Sequence, residues 1–412
     1  MQLTLLSSGG SDRSLRLPLS RCVAGAVAVL LLTVGAMPAR AEPFVPADDS
    51  QVVEQLPTPA TGTKRELRDL RNQLAKNPND LALAIRLARR YAELARAGYD
   101  PRYNGQAEAL LQPWWNLEAP PADVLVLRAT LRQNRHEFDA ALADLAAVLS
   151  AAPRNPQAWL TQAVILKVVG RHDEARRSCS RLASLATRLA TAACMADLAS
   201  VSGKAAEAYA LLRAALDSTP DADASLRLWA LTILAEAATR TGDWSAAERD
   251  FRAALALGLK DGYLLGAYAD FLLDRQRPAE ARDLLADETR VDPLLLRLTL
   301  AEAQLGAAEL PEHIAALQAR FAAARARGDT VHRREEARFT LHLLRRPDEA
   351  LRLALANWQV QREVWDVRLV LETALAAGAP DDANDVIGWL KDTRLEDPEI
   401  ATLVRRVTEA EQ

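Results

Sequence analysis

The sequence predicts an all-α chain, an α-solenoid of about nine stacked helical hairpins closed by a C-terminal helix. Three observations predict it. Alanine, leucine and arginine dominate the 412 residues, and β-branched residues are sparse outside a few short runs, a mixture that favours helix over strand. Alanine recurs at Ala107, Ala141, Ala175, Ala208, Ala247, Ala281, Ala315, Ala350 and Ala383, with separations of 34, 34, 33, 39, 34, 34, 35 and 33 residues. A second alanine stands twelve positions earlier in six units, at Ala129, Ala163, Ala196, Ala235, Ala269 and Ala303. Two antiparallel helices approach closely only where a small side chain sits at the crossing, so one small position per helix is what a repeated hairpin requires.

Taken in order, residues 1–41 read as a targeting segment. Arg13, Arg16 and Arg21 precede an apolar run over residues 23–34, and Ala39-Arg40-Ala41 supplies a small-x-small cleavage pattern. The run is shorter than the roughly 20 apolar residues a membrane-spanning helix needs. The expectation is cleavage after Ala41, no lasting membrane anchor, and a periplasmic or secreted protein. Cys22 lies before the apolar run, the wrong side for lipid attachment.

The expected mature chain loses four arginines and one aspartate from totals of 51 basic and 55 acidic residues, for a net charge of −7. Scattered acidic charge is a poor match for nucleic acid or anionic lipid, so neither is an expected partner. Two cysteines remain, Cys179 and Cys194, on consecutive predicted helices. In an oxidising compartment they form a disulfide or else serve as two small buried apolar residues.

Residues 42–63, with Pro43, Pro46, Pro57 and Pro59, predict an extended linker. Periodicity becomes helical from Lys64, where Leu67, Leu70 and Leu74 share one face, until Asn77-Pro78-Asn79-Asp80 stops that helix and caps the next. The hairpins follow. Leu111, Leu145, Phe251, Leu285 and Ile387 stand four residues after the second small position, and Gly170, Gly203, Gly242 and Gly378 stand five before it. There a positive φ ends the first helix. Residues 98–105 read as an insertion in the first unit and residues 220–225 as a lengthening of the fifth. The seventh unit has a short first helix, and Arg338 takes a small residue's place in the eighth. Residues 398–412 predict a polar-faced capping helix.

Trp159, Ala163, Gly170, Ala175 and Leu182, and again Ala235, Gly242, Trp244, Ala247, Phe251 and Ala254, resemble the tetratricopeptide repeat in type and spacing. The resemblance extends over residues 80–395. It implies a right-handed superhelix whose first helices form an inner wall that binds extended peptides or protein surfaces. Enzymatic activity is not implied.

In that register the residue after the first small position faces the groove: Thr130, Val164, Asp197, Glu236, Asp270, Phe339 and Glu372. Four are acidic and none is basic. The Lys, Arg and Asn clamp by which some relatives grip a peptide carboxylate is missing, so a basic or amide-rich protein segment is the expected partner; the alternative is a solvated face. Residues 325–365 form a second candidate surface, charge-dense and poorest in repeat pattern, carrying Arg333, Glu335, Phe339, Asn357, Trp358 and Arg362. Its alternative is an internal network, with Arg333 or Arg334 bonding nearby carboxylates and Trp358 buried. Trp114-Trp115 reads as a buried end of the first unit, with a sugar or peptide platform as its alternative.

His136, His172, His313, His332 and His342 show no metal-ligand spacing, and no C-x-x-C, nucleotide loop or nucleophile motif appears. No cofactor or metal is expected. The resulting expectation is a non-catalytic interaction scaffold of the bacterial cell envelope. Its rival is a helical toroid that binds or hydrolyses envelope polysaccharide.

Overall fold

Many helices begin where a side chain satisfies the unpaired amides of the first turn or a proline removes one of them. Asp80, Asp100, Asn155, Thr187, Asp223, Asp243 and Asp261 accept backbone N–H groups of the turns they precede. Pro156, Pro278 and Pro347 occupy first helical positions, where a missing N–H costs nothing. The structure, a computed structural model, describes Asp48, residues 61–98 and residues 100–410. The expected targeting segment, and the expected linker apart from Asp48 and residues 61–63, lie outside the described residues.

Among those residues are twenty α-helices and no strand. A leading helix, α1 (Thr61–Lys76), precedes nine hairpins. These are α2 (Leu81–Gly98) with α3 (Pro101–Trp115), α4 (Ala122–Asn134) with α5 (Phe138–Ala151), and α6 (Pro156–Val168) with α7 (His172–Arg181). Next come α8 (Arg188–Ser200) with α9 (Ala205–Asp217), α10 (Ala224–Thr241) with α11 (Trp244–Leu255), and α12 (Gly262–Asp274) with α13 (Pro278–Leu285). Then follow α14 (Asp292–Leu305) with α15 (Leu310–Ala326), α16 (Arg333–His342) with α17 (Pro347–Trp358), and α18 (Val364–Ala377) with α19 (Asn384–Thr393). Helix α20 (Pro398–Ala410) ends the array, burying Ile400, Leu403 and Val407.

The repeating alanines lie at the helix crossings. Ala129, Ala141, Ala163, Ala175, Ala196, Ala208, Ala235, Ala247, Ala269, Ala281, Ala350 and Ala383 are all at most 4% exposed. Four expectations are corrected. Residues 98–105 are not an inserted loop: α2 runs to Gly98, Gly105 lies inside α3, and buried Ala95, twelve before Ala107, supplies the first unit's small position. The seventh unit's first helix has 14 residues and is not short. Ala303 and Ala315 are exposed in that unit, while Ala301 and Leu317 are buried, because both helices are rotated relative to the repeat. In the eighth unit Ala337 is the buried small residue, which frees Arg338 to turn toward α12.

The turn position five before the second small residue is left-handed in hairpin after hairpin. Gly170, Gly203, Gly242 and Gly378 have φ of 80°, 70°, 76° and 66°. His136, Gln276 and Arg345 hold the equivalent place at 58°, 57° and 56°. The hairpin geometry demands that conformation and imposes it even on residues with a Cβ.

The last hairpins fold back along this row of turns. Gln361 donates to His136 (2.8 Å), and the Arg362 amide donates to the Val168 carbonyl (2.8 Å). A Cβ added at Gly170 would meet Arg362 and Trp389, at Gly203 the Arg394 backbone, and at Gly242 Pro398. Arg275 donates to Glu399 (2.7 Å) while its guanidinium lies 3.9 Å from the Trp244 ring centre. Residues 361–399 thus cross the turns of the second to sixth hairpins in order. At the other end, Arg96 of α2 pairs with Asp261 at the start of α12.

Candidate functional site

The acidic residues expected on the inner wall are each engaged within the chain. Asp197 on α8 accepts from Lys167 (2.8 Å). Glu236 on α10 accepts from the Tyr263 hydroxyl (2.7 Å). Burial pushes the Glu236 carboxyl above its usual range. Asp270 on α12, 3% exposed, accepts from Arg297 (2.7 Å) and Arg338 (2.7 Å). Burial works against its charge, but the two guanidiniums outweigh burial and hold the carboxyl below the ordinary range. Glu372 on α18 accepts from Arg368 (2.7 Å) and His342 (3.0 Å), and these partners override burial to bring it down to about 2. Arg368 also reaches Asp274 of α12 (2.7 Å). Thr130 keeps its hydroxyl on the Val126 carbonyl.

Most of the second candidate surface is interior. Arg334 forms a bidentate pair with Asp366 (2.6 and 2.7 Å) and reaches Gln361 (2.6 Å) and Glu363 (2.8 Å). Asn357, 3% exposed, donates to Asp366 (2.6 Å). Trp358, 1% exposed, donates its indole N–H to Asp385 (2.6 Å) and meets Trp389 edge-on at 5.4 Å. Phe339 is buried against Phe321. Arg362 lies over the Trp358 ring at 5.2 Å. Arg333 and Glu335 alone of this group keep only partial exposure without a bonded partner among the described residues. The correction is physical: Asp270, Phe339, Asn357 and Trp358 are buried by packing between hairpins and present no open contact surface. Trp115 is buried too, with Arg128 over its ring at 5.7 Å.

Cys179 of α7 and Cys194 of α8 are joined as a disulfide, with Cα atoms 5.6 Å apart, tying the third hairpin to the fourth.

Residue spacing did not reveal an open cleft on the third hairpin. It has a volume of about 440 Å³ and lies between α5 and α7 across α6. Leu142, Ala146, Trp159 and Leu166 form its apolar lining, and the exposed side chains of Arg177 and Arg181 line it as well. The Trp159 indole donates to the Pro153 carbonyl (2.8 Å), and Arg181 lies over the ring at 5.8 Å. The available signal was the arginine pair of α7 beside the alanine-rich outer face of α5, Ala143, Ala146 and Ala147. Among the described residues no group of three or more His, Cys, Asp or Glu side chains is placed to hold a metal, and no helix is long and apolar enough to cross a membrane.

No family model and no curated protein matches the chain. Solved structures do. A chain of the APC/C hetero-tetramer Cut9–Hcn1 is similar at a TM-score of 0.51 and 14% identity, over 84% of this chain and 66% of that one. A tetratricopeptide repeat protein from Parabacteroides merdae gives 0.42 at 14% identity, over 58% and 92%. Yeast Tom70 gives 0.37 at 12% identity, over 85% of each chain. At such identities the likeness is one of fold, that of helical hairpins packed in series.

Proposed function

We propose that this protein is an exported scaffold of the bacterial cell envelope that holds partner proteins without transforming them. The observation that carries the reading is the fold itself. Nine hairpins in series expose a long surface while their inward charges are satisfied by one another. The solved chain of similar fold is part of a hetero-tetramer, Cut9–Hcn1. The disulfide between Cys179 and Cys194 supports export, because such bonds persist in oxidising compartments, and the composition of residues 1–41 supports the same reading. Because Asp197, Glu236, Asp270 and Glu372 already have partners, a basic or amide-rich ligand on the inner wall loses its electrostatic support.

Affinity capture of the tagged, full chain from its native envelope, with cross-linking before lysis, tests the scaffold. One or a few proteins recovered in fixed proportion support it. The polysaccharide reading has one observation in its favour, the Glu236 carboxyl raised by burial beside half-exposed Tyr263, as a general acid requires. Release of sugar from peptidoglycan or capsular polysaccharide, lost in Glu236→Gln, together with no captured protein, would replace the scaffold by that enzyme.

A further inference from the structure

We propose that the cleft between α5 and α7 is a docking site for an acidic peptide segment that carries an apolar anchor side chain. The proposal rests on the scaffold reading and names the chemistry of the partner.

Charge is the first argument. Glu174, the carboxylate on the cleft wall, is held by Arg171 in a bidentate pair (2.6 and 2.7 Å) that keeps it below the usual range. Asp173 is taken by Arg176 (2.7 Å). Asp139, at the start of α5, acts on Arg171 at the far end of the cleft. Asp144, on the inner side of α5, is buried between Arg128 and Arg132. Arg177 and Arg181 have no carboxylate within ion-pair distance among the described residues. They stand four residues apart on α7, where like charges repel. An anion seated between them relieves that repulsion, and two planar guanidinium forks suit carboxylates in particular.

Shape is the second argument. The cleft's apolar lining is Leu142, Ala146, Trp159 and Leu166, and exposed Ala146 leaves room beside the arginines. Its volume of about 440 Å³ falls in the usual range for ligand sites, roughly 300–1,000 Å³. Trp159 is oriented in advance by its hydrogen bond to Pro153 and covered by Arg181. A peptide that places one large apolar side chain on Leu142 and Leu166 brings flanking carboxylates to Arg177 and Arg181. A simple polyanion would use only the arginines.

The test is fluorescence anisotropy with the mature chain and two labelled pools of short peptides. One pool draws its residues from Glu, Asp, Leu, Phe and Gly; the other has Lys and Arg in place of Glu and Asp. The acidic pool should bind and the basic pool should not. The double variant Arg177→Glu/Arg181→Glu should weaken binding about tenfold or more, and Ala146→Trp, which fills the cleft from an exposed position, should do so with the arginines intact. Both variants alter exposed residues, and an unchanged helical circular-dichroism signal verifies their fold. No binding of the acidic pool to the wild-type chain overturns the proposal. So does binding that survives Ala146→Trp, which would mark diffuse attraction to the arginines. Partners captured from the envelope whose cross-links map away from the cleft would refute the docking site and leave the scaffold standing.

Discussion

His136 and His172 are half-buried neutral bases at the turns where the C-terminal hairpins dock. Burial is the main cause that brings each down to about 4 from 6.5, helped by Arg334 near His136 and Lys167 near His172. Because the folded pKa lies below the unfolded one, the stability they contribute is complete above pH 6.5 and is lost as pH falls from there toward 4. Urea midpoints measured across that window should fall with acidification, and His172→Phe, which keeps a ring against Trp389, should flatten the slope. The left-handed turn residues give a second prediction at this scale. Gln276, exposed at φ 57°, should gain up to about 1 kcal/mol on replacement by glycine. Gly203→Ala should cost more than the roughly 1–2 kcal/mol of a left-handed alanine, since its Cβ would lie 2.8 Å from the Arg394 carbonyl oxygen. Denaturation of the two variants should move in opposite directions.

Helices meet through their smallest side chains, and the repeat can be read because that requirement recurs in every hairpin. Ala163→Leu and Ala235→Leu, at positions 3% and 0% exposed, should each overpack a crossing and cost about 1–3 kcal/mol. The same change at Ala303 or Ala315, exposed in the rotated seventh hairpin, should stay within about 0.5 kcal/mol. Equal costs at all four positions would contradict the packing described. Spacing placed Ala303 and Ala315 in register because a period counts residues, whereas burial depends on how far each helix has turned. The seventh hairpin has a 17-residue second helix of its own, which the neighbouring units do not share.

At the scale of the whole molecule, arginines join hairpins far apart in the chain. Asp270 is the hub, paired with Arg297 of the next hairpin and Arg338 of the one after. Removing a buried partner strands its counter-charge, so Asp270→Ala should cost about 3–5 kcal/mol, far above the 0–1 kcal/mol expected for the more exposed pair of Arg275 and Glu399. Chemical denaturation of Asp270→Ala and Glu399→Ala compares the two directly. The Arg334, Asp366 and Glu363 network adds a second internal tie, between the eighth and ninth hairpins and His136 of the second. Such long-range partners explain why acidic positions read from the register as partner contacts are engaged in the fold: Asp197 and Asp270 meet cations, Glu236 the Tyr263 hydroxyl and Glu372 His342, each from a helix tens of residues away.

Sequence alone determined the helices, their pairing into hairpins, most crossing alanines and the glycine turns, because those features depend on interactions within one or two units. Tertiary structure decided the rest: which acids face a guanidinium, that residues 361–399 lie along the turns of the second to sixth hairpins, and that a cleft stays open beside Arg177 and Arg181. Local periodicity carries no information on how far successive hairpins rotate, and that accumulated rotation brings distant side chains together.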